Sequence, residues 1–205
     1  MAIDAYIAFQ MYGGAGNGAG PYLTAESQVD VKDNTEPLMT TPTSAFTAGT
    51  IFELEDYSFD IEQVLNIGSS SSGAGAGKVT FNPFSITRKI DKASPKFFEM
   101  ACSGTAFSMV SLGIRKSVGA AGGGAGVSGM MFVRFDFKLV AVKTISWAHD
   151  DEAPKETITF EYGGLQVRYN QQDPSGAMTG GKAGIFPGGW NRVTNKQDTT
   201  SNYIT

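Results

Sequence analysis

Apolar residues recur at every second position over much of this chain, the period of a half-buried β-strand. Ile3, Ala5, Ile7 and Phe9 alternate with Asp4, Tyr6 and Ala8 and predict a first strand. A second signal, Ile51–Val64, carries Phe52 and Leu54 on one parity and Tyr57, Phe59 and Ile61 on the other. A bulge is therefore expected near Glu55-Asp56. The stretch Lys78–Ile90 changes parity at Asn82-Pro83, where proline marks a bulge or a sheet edge. Phe107–Arg115 is strand-like. The cleanest alternation sets Val133, Phe135, Phe137 and Leu139 against Arg134, Asp136 and Lys138. It continues through Lys143, Ile145 and Trp147, so this strand is long or bent near Ala141. Ile158, Phe160 and Tyr162 predict another strand, whose parity shifts at Gly163-Gly164 before Leu165, Val167 and Tyr169. The final 35 residues are polar and turn-rich, with one short strand expected around Trp190–Val193.

One segment has helical spacing. Ser94 is the expected N-cap and Pro95 stands at N1, where its missing N–H costs nothing. Phe97, Phe98, Ala101 and Cys102 form an expected apolar face, and Gly104 follows at the C′ position. On that face Cys102 is expected to be a buried, inert thiol.

Between these elements lie long connections: residues 10–50, the small-residue run Gly68–Gly77, and the glycine-rich break Gly119–Gly129. A connection of some forty residues inside a compact domain is uncommon and usually serves function or stays mobile. Seven to nine strands, one short α-helix and long Gly-rich loops predict a mainly β fold, a two-sheet split β-barrel or sandwich. Residues 1–205 are read as one domain with a long loop insertion at 10–50 and a polar C-terminal extension at 171–205.

Composition narrows the function. The chain has 205 residues, a net charge of −4 and no block of Lys or Arg, which excludes a nucleic-acid binder working by phosphate neutralisation. A single cysteine excludes an intrachain disulfide, and a single histidine, His149, excludes paired-imidazole metal sites. The N-terminus lacks the pattern of a Sec signal, and no apolar run reaches the roughly 18–20 residues that span a bilayer. The expectation is a soluble protein made in the cytoplasm, with no membrane insertion.

Several segments imitate catalytic motifs and fail on context. Gly73–Thr80 has Ser72 where a phosphate loop needs its first glycine, Val79 where it needs Ser or Thr, and a strand where it needs a helix. Gly124, Gly126 and Gly129 match a dinucleotide fingerprint by spacing, but they lead into a strand. His149-Asp150-Asp151-Glu152 reads as a solvated turn beside Pro154. The expectation is no catalytic set, no metal and no cofactor. Long loops on a well-patterned β scaffold point instead to contact with copies of itself, since glycine lets backbones approach closely.

Four segments together resemble the haemolysin-coregulated protein (Hcp) family, the tube subunit of the bacterial type VI secretion system. They are Met1–Ile7 (MAIDAYI), Tyr57-Ser58-Phe59 followed by Gly68–Gly77, Ile86–Gly104 (ITRKIDKASPKFFEMACSG), and Gly189-Trp190-Asn191. The third is the most specific, and Leu112–Lys116 and Gly164–Tyr169 add to it. The chain departs from the family pattern in its longer 10–50 segment, its glycine-rich run after Lys116 and its tail after Gln197.

The resemblance implies a non-enzymatic homo-hexamer whose rings stack into a tube. Its partners would be contractile sheath proteins, a spike (VgrG-type) protein and effector proteins held in the channel. It would stay in the cytoplasm until firing and then be secreted. The resemblance places Gly68, Ser70, Gly73, Gly75 and Gly77 in a loop that reaches the neighbouring ring, and Ser58 at a position facing the channel. The alternatives are the tail-tube protein of a phage-like extracellular contractile injection particle, an enzyme or effector-fused variant, and a monomeric binding barrel.

Overall fold

Extended backbone turns alternate side chains to opposite faces, and most of the period-two segments do form strands. The computed structural model describes residues 3–13, 19–27, 29, 38, 45–66, 75–116, 131–149, 153–171 and 185–199. In chain order the elements are β1 (Ile3–Tyr12), β2 (Ala19–Tyr22), β3 (Phe52–Glu53), β4 (Asp56–Ser58), β5 (Ile61–Asn66), β6 (Gly75–Phe81) and β7 (Phe84–Lys89). After these come α1 (Ser94–Ser103), β8 (Ala106–Lys116), β9 (Met131–His149), β10 (Pro154–Asn170), β11 (Ile185–Asn191) and β12 (Lys196–Gln197). The fold is mainly β, with two sheets and a short helix, as the patterning predicts.

Strands outnumber the expected seven to nine because two predicted strands are broken. Ile51–Val64 becomes β3, β4 and β5, with the break at Leu54-Glu55. There the Leu54 N–H bonds the Ala5 carbonyl while the Glu55 N–H bonds the Thr87 carbonyl, so one short segment joins β1 to β7. Lys78–Ile90 divides at Asn82-Pro83 into β6 and β7, which lie in different sheets. The 10–50 segment, expected to lack periodicity, contributes β2, antiparallel to β1. The strand expected around Trp190–Val193 starts earlier, at Ile185, and Val193 lies in the turn beyond it.

The large sheet runs β12-β11-β10-β9-β8-β1-β2, all antiparallel, and β5-β6 forms a separate hairpin sheet. β10 is long enough to serve two partners on one edge: residues 155–160 pair with β7, and residues 164–170 pair with β11. The predicted parity shift at Gly163-Gly164 is present. Ile158, Phe160 and Tyr162 face the core before it, and Leu165 and Val167 after it. Opposite, Leu139 takes φ 50, a left-handed conformation that bulky side chains rarely adopt. A Cβ on Gly163 would lie 3.3 Å from that of Leu139, so glycine here makes room for the turn-over of both strands. Lys143 adds a second irregularity, since Thr159 pairs with Thr144 but Phe160 with Val142.

Helix α1 differs from its expected form in its cap and its buried face. Its N-cap is Ala93, not Ser94, and Gly104 closes it at φ 68. Ser94 is buried because its hydroxyl serves a polar network described below. Phe97 and Met100 face the core, whereas Phe98 and Cys102 are exposed, so the expectation of a buried thiol is corrected. Phe98 lies about 100° around the helix from Phe97, so the expected apolar set extends past the face that the core covers, which is centred on Ser94, Phe97 and Met100.

The main core is aromatic. Phe9 packs against Phe97, Phe107 and Phe52 with ring centroids 4.9, 5.1 and 5.5 Å apart. Phe84 stacks on Phe137 at 4.2 Å and on Phe160 at 4.7 Å. The Tyr162 hydroxyl is buried there with no hydrogen-bond partner among the described residues. Burial, with the Asp60 charge adding and Arg192 opposing, pushes its phenol up to about 12 from 10. An acid raised in this way supports the fold below its unfolded pKa and loses that support as pH rises. Tyr162→Phe should therefore keep or raise stability at pH 7, by about 1 kcal/mol for the unpaired hydroxyl. It should also blunt the loss of stability between about pH 10 and 12. Denaturant titrations at the two pH values check both effects; marked destabilisation at pH 7 would show that the hydroxyl is bonded.

Candidate assembly site

The two faces of the large sheet carry different chemistry. On one face, Val110, Leu112, Phe137 and Leu165 belong to the aromatic core. That face continues past the core's edge. Tyr169 pairs with Phe186 and Leu165 with Trp190 across β10 and β11, so these side chains share a side. Phe186 is 60% exposed, and Tyr169 and Trp190 are also exposed. The hairpin β5-β6 stands over this region and encloses a groove of about 690 Å³, lined by Ile61, Val79, Phe81, Leu165, Val167 and Trp190. Gly188 leaves open space where a side chain would begin. An apolar sheet face open to water at this scale is the mark of a contact surface.

A second exposed apolar patch lies at the other end of the β9-β10 ribbon. Phe98 on α1 and Trp147 on β9 have ring centroids 6.2 Å apart and are 52% and 53% exposed, with Ile90 exposed as well.

The opposite face of the sheet is charged yet buried. Arg134, Asp136 and Lys138 alternate with the core-facing residues and read in sequence as a solvent face. The structure covers them with Leu38, Ala45 and Phe46 and with Asp198 and Thr199. Asp136 receives Arg134 Nε at 2.8 Å, the Ser111 hydroxyl at 2.6 Å, and Arg168 Nη1. Arg134 Nη1 donates to the Leu38 carbonyl at 2.9 Å, and its guanidinium lies over Phe46. Burial pulls the Arg168 guanidinium below its ordinary value; Asp136 opposes this and Arg134 adds to it. Lys138 reaches Asp198 at 2.9 Å and Gln166 donates to the Thr199 carbonyl, which ties down the tail. A Cβ on Gly189 would lie 2.0 Å from the Asp198 carbonyl oxygen, so only glycine admits the tail at this distance.

A second buried network anchors α1. Glu156 accepts Arg88 Nε at 2.8 Å, the Ser94 hydroxyl at 2.9 Å and the Trp147 indole N–H at 3.2 Å. Asp91 pairs with Arg88 and accepts the Ala93 N–H. These bonds explain the Asp91-Lys92-x-Ser-Pro run: Asp91 caps the turn and Ser94 locks the helix start onto β10.

Of the residues singled out in sequence, Ser58 lies exposed on the short β4, in register with Ser85 of β7. Gly75 and Gly77 lie in β6, with Gly75 opposite Asn66 in the hairpin. Gly68, Ser70 and Gly73 fall outside the described residues, as do Gly124, Gly126, Gly129 and Asp150–Glu152. Among the described residues, Ser58 is not one of those that line the apolar groove. Among the described residues no group of three or more His, Cys, Asp or Glu could hold a metal ion. No helix there is long and apolar enough to cross a membrane.

The groove and the exposed pair Phe98–Trp147 were not picked out in sequence. Their residues alternate like core residues, and only the sheet's extent relative to its cover shows which ones are left open.

Comparison with known proteins agrees with this architecture. Residues 47–169 match the family model described as type VI secretion system effector, Hcp. Protein Hcp1 of Pseudomonas aeruginosa is 32% identical over 120 residues, covering 58% of this chain and 69% of that protein. A solved type six secretion system protein superposes with a TM-score of 0.68 at 22% identity, covering 96% of this chain and all of that one. Hcp1 of Salmonella typhimurium gives a TM-score of 0.59 at 20% identity, over 96% of this chain and all of that one. These two structural likenesses speak for the fold. With the family model spanning more than half of its length, the chain belongs to the Hcp family of type VI secretion tube proteins.

Proposed function

We propose that this chain builds the inner tube of a type VI secretion system. Six copies close into a ring around a channel, rings stack inside a contractile sheath, and the tube is ejected beneath a spike protein with effectors in its channel. The protein waits in the cytoplasm and is secreted on firing. Its work is structural rather than enzymatic.

The observation that carries this reading is the apolar face left open at the β10-β11 edge, where Tyr169, Phe186 and Trp190 extend the core into solvent. One repeated contact of that kind closes a ring when its rotation divides a full turn. Negative-stain electron microscopy of the purified chain, with its mass in solution, tests the reading. Six-fold rings with a central hole are expected; a monodisperse monomer at high concentration would overturn it.

We assign ring-on-ring contact to the run Gly68–Gly77 and the channel-facing position to Ser58. Deleting residues 68–74 should leave rings intact and cut the fraction found in stacks at least tenfold. Loss of the rings themselves, on micrographs and by mass, would refute that assignment.

A further inference from the structure

We infer that the two exposed apolar patches are the two halves of one self-contact: the Phe98–Trp147 knob of one copy seats in the groove beneath the β5-β6 hairpin of the next. The inference rests on the ring reading and names the surfaces that would join neighbours within it.

Shape comes first. Phe98 and Trp147 project as a paired ridge, more than half exposed, with Cys102 one helical turn further along. The groove is concave and apolar, and its volume of about 690 Å³ suits two aromatic side chains. Trp147 also has a fixed pose, because its indole N–H is held by the buried carboxylate of Glu156. A rigid aromatic anchor loses little entropy on docking.

Charge does not select the pairing: beside the knob the exposed Lys96 is paired with Glu99 at 2.9 Å, and Asp60 and Glu62 alternate with Ile61 and so lie on the other face of the strand from the groove.

Position supplies the second argument. Trp147 is in register with Glu156 and the groove floor begins at Leu165, nine residues further along β10. At ~3.3 Å per residue the two patches lie about 30 Å apart. A head-to-tail contact between two unlike patches closes a ring when its rotation divides a full turn, whereas a reciprocal contact of the same patches stops at a two-fold pair. In a regular ring of six the radius equals the spacing of neighbours, so copies about 30 Å apart stand about 30 Å from the axis. A domain of this length, with a radius of gyration of about 17 Å, then leaves an open centre.

The test is a charge swap read by mass in solution and by microscopy. Phe98→Glu alone and Ile61→Lys alone should each weaken ring formation at least a hundredfold in concentration, with the thermal melt of the protomer unchanged. Both side chains are about half exposed, so neither substitution disturbs the core. The double variant, which places a carboxylate against an ammonium across the contact, should restore rings. Cys102 offers a second readout, as it is the chain's single cysteine. Ile61→Cys oxidised with diamide should give a covalent ladder up to the ring size, absent from the unsubstituted chain. Intact rings in both single variants with no ladder would overturn the knob-in-groove contact and leave the ring reading standing. Loss of rings without rescue by the double variant would show that the groove takes a different occupant and would also overturn it. An unsubstituted chain that stays monomeric would remove the ring reading itself.

Discussion

Replacing Asp136 with alanine should lower the unfolding free energy by about 3–5 kcal/mol, because it leaves two buried guanidinium groups without their carboxylate. Arg134 and Asp136 are both fully buried, and Arg168 is nearly so. For a single domain holding about 5–15 kcal/mol, the loss takes much of the total. Asp136→Asn should cost less, since the amide oxygen still accepts from Ser111 or Arg134. A triple replacement of Arg134, Asp136 and Arg168 by apolar residues of similar size should be milder than Asp136→Ala alone. The desolvation cost of a buried ion cluster disappears with its last charge. Urea unfolding of the three variants gives this order directly. Equal losses in all three would mean that leaving the two guanidinium groups unpaired is not what costs stability.

That cluster also marks where the sequence stopped being legible. Alternation along residues 133–139 correctly put Phe135 and Phe137 toward a core. The same rule sent Arg134, Asp136 and Lys138 to the other side, and water is the default neighbour for charged residues. In the fold that side is covered by Leu38, Ala45 and Phe46, which come from the segment without periodicity. A segment with no period of its own gives no sign that it packs on a sheet. The balance of charges inside Arg134-x-Asp136-x-Lys138 was the available signal, since opposite charges two apart on one strand face can satisfy one another. The breaks at Asn82-Pro83 and Gly163-Gly164 were legible because proline and glycine mark the backbone directly. The exposed patches were not, because a Phe at an apolar position looks the same whether its partner is the core or another molecule.

Glu156 is the second residue whose loss should be severe, and here the effect is local as well as global. Its carboxylate is completely buried and holds Arg88, Ser94 and Trp147 at once, joining β7, α1 and β9 around β10. Glu156→Ala should cost less than the roughly 3–5 kcal/mol of a fully unpaired buried charge, since Arg88 keeps Asp91 as a carboxylate partner, while Ser94 and Trp147 both lose their acceptor. Arg88 also lies 4.8 Å and 5.1 Å from the ring centres of Phe52 and Phe97, contacts that hold its stem in place but cannot replace a counter-charge. The helix has ten residues and cannot persist without its seat on the sheet. Amide hydrogen exchange over residues 96–103 should therefore accelerate in Glu156→Ala by more than the global loss of stability explains. Glu156→Gln should retain most of the protection, because the amide still accepts from Ser94 or the Trp147 indole. Uniform acceleration across all strands in both variants would mean that the helix is held by Phe97 and Met100 alone. The same pair of variants separates stability from assembly: Trp147 loses its fixed pose in Glu156→Ala, so rings should weaken further than in Asp136→Ala at matched protomer stability.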